Sequence, residues 1–183
     1  FHICTDGSKL PWMFRDDEDF IAGVNRIGIC KFLLGIEVIC FIVMDTHIHI
    51  VLYGDILQCK EFINLYKRLT GIWIKQKYDI NEHLKDIPVE IIPIRDEEGL
   101  LNTIAYIDRN CIVGGYKFLA TEYPWGTGKL IFRDPVSTAG GQTRKLSELN
   151  RREQWSLLKS RVDLPQEWKI DTKGMLDISS FID

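Results

Sequence analysis

Apolar positions along the chain follow two different spacings. "IEVICFIVM" (36–44) is an almost unbroken β-branched and apolar run, which predicts a buried strand. "THIHIVLY" (46–53) follows a tight turn at Met44-Asp45-Thr46 and predicts a second strand. "FHICT" at the start and "VEIIPI" (89–94) predict two more, with Pro93 marking an edge or a bulge. Between these runs the period lengthens to that of a helix. Residues 15–35 begin with acids and end at Gly35; residues 56–79 carry Phe62, Leu65, Leu69, Ile72 and Trp73 as an apolar stripe. "RDEEGLLNTIAYIDRN" predicts a third helix, with Asp96 as N-cap, two glutamates in the first turn, and Leu100, Leu101, Ile104 and Ile107 docking it.

The order β-α-β-β-α-β-α predicts an α+β fold, a ferredoxin-like antiparallel sheet with helices on one face, over residues 1–130. After that the character changes. "RDPVSTAGGQTR" reads as a linker, "LSELNRREQWSLLKSRV" as a helix with an Asn150/Glu153 capping box, and the final residues as irregular. Residues 131–183 are thus expected to form a linker and a small, mostly helical C-terminal extension.

A net charge of −3 argues against a uniformly basic nucleic-acid binder and leaves room for a local basic face. The five cysteines are odd in number and never in CxxC spacing, so they read as reduced thiols of a cytoplasmic protein. No apolar run reaches the roughly 18–20 residues that span a bilayer. "FHICT" opens with neither Met nor a signal-peptide pattern, so the natural N-terminus is expected to lie upstream and the protein to be soluble and intracellular.

Two of the four histidines, His47 and His49, lie one residue apart in an apolar run. Residues two apart on a strand share a face, so both imidazoles point away from the side carrying Ile48, Ile50 and Leu52. Their Cα atoms would be about 7 Å apart, close enough to converge on one metal ion. Two ligands are too few, and no nearby Cys, His or carboxylate completes a zinc set. On spacing alone, the pair reads equally as exposed or satisfied structural histidines on a strand.

Tyr106 and Asn110, in "IAYIDRN", lie four apart and share a helix face. An Asn carbonyl is an oxygen ligand suited to a hard divalent ion, and a phenol one turn away could reach that ion's substrate. Alone, the pair is equally a core-edge tyrosine and a helix-terminal Asn.

Together, "MDTHIHIVL" and "YIDRN" resemble the His-hydrophobic-His signature and tyrosine helix of the HUH single-strand endonucleases. The resemblance is to their Y1 branch, which contains the IS200/IS605-type transposases and the REP-associated tyrosine transposases. "FHICT", Met44 and "EYPWGTG" fit the REP-associated-like subgroup, and the likeness covers roughly residues 1–130. Asp45-Thr46 stands where the family commonly has Pro-Asn, and Asn110-Cys111 where it commonly has Asn-Pro.

The resemblance implies Tyr106 as nucleophile, with His47, His49 and Asn110 holding Mg²⁺ or Mn²⁺. It also implies a 5′-phosphotyrosine intermediate on single-stranded or hairpin DNA, and it leaves monomer and homodimer both open. A phenol is a weak nucleophile unless its proton is removed or developing charge is stabilised, which is the work of such a cation. DNA contacts would be sought among Lys60, Lys67, Arg68, Lys75 and Lys77 on the long helix and Arg144, Lys145, Arg151 and Arg152 in the tail. For each of these an ordinary solvated face is an equal reading. Trp125 could stack on a base or pack in a turn. Two other functions stay open: a domesticated, non-cleaving DNA-binding module, and a metal-dependent phosphohydrolase in which Tyr106 only positions substrate.

Overall fold

The computed structural model describes residues 1–9, 13–80, 84–116, 118–131 and 142–183. Four strands, β1 (His2–Thr5), β2 (Glu37–Val43), β3 (Ile48–Tyr53) and β4 (Val89–Ile92), form an antiparallel sheet in the order β2-β3-β1-β4. With α1 (Asp17–Leu34) between β1 and β2, and α2 (Ile56–Tyr78) between β3 and β4, this is the ferredoxin-like arrangement. The third long helix, α3 (Glu97–Val113), follows β4. No helix is long and apolar enough to cross a membrane, among the described residues.

The helices start where side chains can satisfy their free N–H groups. Asp16 caps α1 by accepting from the Asp19 N–H, and Asp96 caps α3 through the Gly99 N–H. Asp55 and Gln58 form a reciprocal capping box at α2. Gly35, in the left-handed conformation (φ 63°), ends α1 and turns the chain into β2.

Strand alternation divides the interior in two. Ile3, Ile48, Ile50 and Leu52 face α1 and α2 and join Phe62, Tyr66 and Ile27 in the larger core. Cys40, Ile42 and Val51 face the other way, where Ile107 and Cys111 of α3 and Tyr123 cover them. Two helices thus share a face, and α3 occupies the opposite one. Two expected stripe residues lie outside the contacts: Leu101 and Ile72 are exposed, because the docking faces turn on Ile107 in α3 and on Ile63, Tyr66 and Ile74 in α2.

The segment after α3 lies along β2. Val43 N–H donates to the Trp125 carbonyl, Tyr123 donates its hydroxyl to the Val43 carbonyl, and Gly126 bridges to Ile42. Gly128 is required there, since a Cβ would stand 2.4 Å from the Ala120 carbonyl oxygen. A short helix, α4 (Gly128–Ile131), follows. Trp125 stacks on Phe20 at 5.1 Å, which makes it a packing residue.

The proposed linker falls mostly outside the described residues. The described remainder of the extension contains one α-helix, α5 (Arg151–Leu158), with the predicted Asn150/Glu153 capping box, and two single-turn 3-10 helices, Leu146–Glu148 and Ile178–Ser180. A two-stranded sheet of β5 (Thr143–Lys145) and β6 (Lys169–Asp171) is also present, so the extension is less helical than the sequence suggested. It packs into the larger core: Leu176 and Phe181 lie against Gly28 of α1, and Asn25 is bonded to both the Gly174 carbonyl and the Leu176 N–H. Asp183 closes the contact by accepting from the Val38 N–H at 2.9 Å.

Candidate functional site

A cleft of about 500 Å³ opens on the α3 face, where the ends of β1 and β3 meet. Its lining includes His47, His49, Tyr106 and Asn110, together with Cys4, Thr46, Glu90 and the turn Asp6–Ser8. The four residues singled out in the sequence therefore share one cavity.

Each arrives there for a local reason. His49 points to the α3 face because Ile48 and Ile50 occupy the other. His47 sits just before β3 rather than in it, yet its ring centroid lies 4.9 Å from that of His49, at an interplanar angle of 85°. The strand entry is held by Thr5, whose hydroxyl accepts from the Ile48 N–H. Tyr106 projects from α3 with its ring edge-on to His49 at 5.5 Å, and it remains 47% exposed.

The imidazoles are kept neutral. Burial pushes His49 down to about 3, and His47 and His2 add to the effect. Burial also lowers His47, with Asp45 and Asp6 opposing it. A neutral ring is the form that binds a metal ion. Their Nδ1 atoms are already engaged: His47 Nδ1 lies 2.8 Å from the Thr46 hydroxyl, and His49 Nδ1 lies 3.1 Å from His2 Nε2. Thr46 thus supplies a hydrogen-bond partner for the first histidine. Gly7 makes room for it, because a Cβ there would meet Thr46 Oγ1 at 2.8 Å and His47 Nδ1 at 3.0 Å.

Asn110 turns its amide nitrogen back onto its own helix, donating to the Tyr106 and Ile107 carbonyls. Its Oδ1 is the end left without a donor among the described residues. Cys111 is buried in the smaller core and α3 continues through it to Val113.

Among the described residues no group of three His, Cys, Asp or Glu side chains is placed to hold a metal ion. A candidate set of another kind is two neutral imidazoles, with no partner at Nε2 among the described residues, and an amide oxygen. Two nitrogens and one oxygen, with room for water, suit Mn²⁺ and tolerate Mg²⁺. The described lining includes the carboxylates of Asp6 and Glu90, groups that attract a cation. A second cleft of about 340 Å³, lined by His2, Ile92, Asn102 and Thr103, borders Tyr106 as well.

The DNA-contact candidates fare differently. Lys67 is buried at 7% exposure and donates to the Ile87 carbonyl at 2.7 Å, so it is a structural residue. Lys77 is held by Asp16, Glu18 and Asp19 at 2.7–3.1 Å, which neutralises it. Both drop out as DNA contacts. The helical stripe had shown only that these lysines were off the apolar face, not what loops and acids would meet them. Lys60, Arg68 and Lys75 are exposed, but α2 covers the sheet face opposite the cleft. Arg144, Lys145 and Arg152 are exposed on the extension, and Arg151 is paired with Asp163. None of these lines the cleft.

His2 escaped the motif reading. It stands opposite Val51 on β1, has its ring centroid 5.2 Å from that of His49 and meets the Tyr106 ring at 6.0 Å. The alternation of "FHICT" could have revealed it, since Ile3 on the core side puts His2 and Cys4 on the other. No family model, curated protein or solved structure matches the chain.

Proposed function

We propose that this chain is a Y1-type HUH transposase, a metal-dependent enzyme that cleaves and rejoins single-stranded or hairpin DNA through Tyr106. The observation that carries this reading is the convergence of His47, His49, Tyr106 and Asn110 on one cleft. Two come from β3 and its entry, and two from a helix far along the chain. A core histidine pair and an unrelated helix tyrosine would have no reason to meet.

A bound Mg²⁺ or Mn²⁺ would neutralise the scissile phosphate and the departing oxygen. His47 and His49 would hold it through Nε2, and Asn110 through Oδ1. The phenolic oxygen of Tyr106 attacks phosphorus, forming the O–P bond of a 5′-phosphotyrosine as the bond to the 3′ oxygen breaks. The phenolic proton passes to solvent, which reaches the exposed ring, and the 3′ oxygen leaves as a hydroxyl after taking up a proton. The bond count is conserved, so a new 3′ hydroxyl can reverse the step and join strands without another energy source. The clefts beside Tyr106 give a strand space to cross the nucleophile.

The test is a hairpin DNA labelled at both ends, incubated with Mn²⁺ and either wild type or Tyr106→Phe. Wild type is expected to give a denaturation-resistant protein–DNA adduct. Tyr106→Phe is expected to lose it by at least ~10³-fold, with stability within about 0.5 kcal/mol because the residue is half exposed. Cleavage that survives the substitution overturns the covalent mechanism and favours a phosphohydrolase. Binding without cleavage across a panel of hairpins favours a non-cleaving DNA-binding module.

A further inference from the structure

Each neutral imidazole has one protonated and one bare nitrogen, and only the bare one can bind a cation. Among the described residues, neither His47 nor His49 has a hydrogen-bond partner at Nε2. At Nδ1 both are engaged, His47 by the Thr46 hydroxyl and His49 by His2 Nε2 at 3.1 Å. A single proton must lie between His2 and His49, since two bare nitrogens or two N–H groups would repel at that distance. If the proton sits on His2, neutral His49 carries its own proton on Nε2 and cannot be a ligand. If it sits on His49 Nδ1, the Nε2 lone pair is free.

We infer that His2 is a positioning residue whose Nε2 accepts the Nδ1 proton of His49, fixing the tautomer and ring orientation that offer Nε2 to a cation. This role rests on the metal-dependent reading proposed above. The geometry is suited to it. His2 is buried at 8% exposure, and β1 places it beside β3 by the register His2–Val51. The two ring planes differ by 30° with centroids 5.2 Å apart, so the rings meet nearly edge to edge along the Nε2–Nδ1 contact. Tyr106 closes the group by meeting both rings edge-on. An acceptor behind a metal-bound imidazole raises ligand basicity and restrains the ring, and its loss typically weakens metal binding about 10–100-fold.

Mn²⁺ uptake by the whole chain, followed by the electron paramagnetic resonance of free Mn²⁺, tests the role with three proteins. His2→Phe keeps a ring of similar size without an acceptor and is expected to weaken Mn²⁺ binding by about 10–100-fold. His2→Gln supplies an amide oxygen and is expected to recover most of that loss. Ring ¹⁵N shifts of the metal-free wild type are expected to place the His49 proton on Nδ1. Unchanged affinity in His2→Phe, no recovery in His2→Gln, or a proton on His49 Nε2 overturns the role. Should His2→Phe fail to fold, the wild-type tautomer decides alone. A wild type that takes up no Mn²⁺ overturns the metal reading and this role together. Uptake by wild type with unchanged affinity in His2→Phe overturns this role only.

Discussion

Each face of the sheet has a buried aspartate beneath its helices, and the two are treated in opposite ways. On the α1/α2 side, Asp19 is fully buried and accepts from Trp73 Nε1, the Tyr78 hydroxyl, Lys77 and the Arg15 N–H. Burial pushes its carboxyl up, but those hydrogen bonds outweigh it and hold Asp19 below the ordinary range. On the α3 side, Asp108 is also buried, yet its Oδ2 has no hydrogen-bond partner among the described residues, and burial raises it to about 6. On the first face the buried charge is satisfied, although the Tyr66 and Thr70 hydroxyls of α2 have no hydrogen-bond partner among the described residues. The second keeps a small core and spends the rest of its surface on imidazoles and an open cleft. Concentrating stability on one face leaves the other free to hold groups that packing alone would not select.

The contrast is broken most severely at Asp19. Asp19→Ala strands Lys77, Trp73 and Tyr78 without their common acceptor and is expected to cost about 3–5 kcal/mol in denaturant unfolding. Because the folded carboxyl is held below its unfolded value, Asp19 contributes stability above the unfolded pKa. That contribution is lost as pH falls through the folded pKa, so the cost of the substitution should shrink in acid. A cost under about 1 kcal/mol at pH 7 would mean that the network is not what secures this face.

Asp108 should behave in the reverse sense. Its folded pKa of about 6 lies above the ordinary 3.8, so the folded state holds the proton more tightly. Stability is therefore lost as pH rises between these values. Asp108→Asn removes the charge and is expected to stabilise the protein by roughly 1–3 kcal/mol at pH 7, with no gain near pH 4. Thermal unfolding at the two pH values checks it, and a loss of stability at pH 7 would show that the ionised carboxylate is satisfied.

The smallest effect is expected behind the sheet. Combined Lys60→Gln, Arg68→Gln and Lys75→Gln should change hairpin cleavage by less than about 3-fold and stability by about 0.5 kcal/mol at most. These cations lie on the helix layer opposite the cleft. A collapse of DNA affinity, with a shallower salt dependence, would show that the strand wraps around to α2.

Local patterns carried much of this molecule. The alternation at Ile48, His49 and Ile50, the cap Asp96, and Gly35 at the end of α1 are all local signals, and the corresponding elements form close to where those signals place them. Tyr106 and Asn110 were legible as neighbours because a helix repeats every 3.6 residues. Lys67 and Lys77 were misjudged for a physical reason. Whether a polar side chain on a helix flank meets water, a carbonyl or a carboxylate depends on which distant segment folds over it.

By itself, the sequence determined the order of strands and helices and the face on which His47 and His49 would stand, since those follow from repeats of two and 3.6 residues. Only the tertiary structure decided that α3 crosses the sheet face opposite α1 and α2 and brings Tyr106 and Asn110 to the histidines. It also decided that His2 and Thr46 hold the two imidazoles from behind. Strand pairing and helix docking join residues tens of positions apart, and no local period encodes that distance.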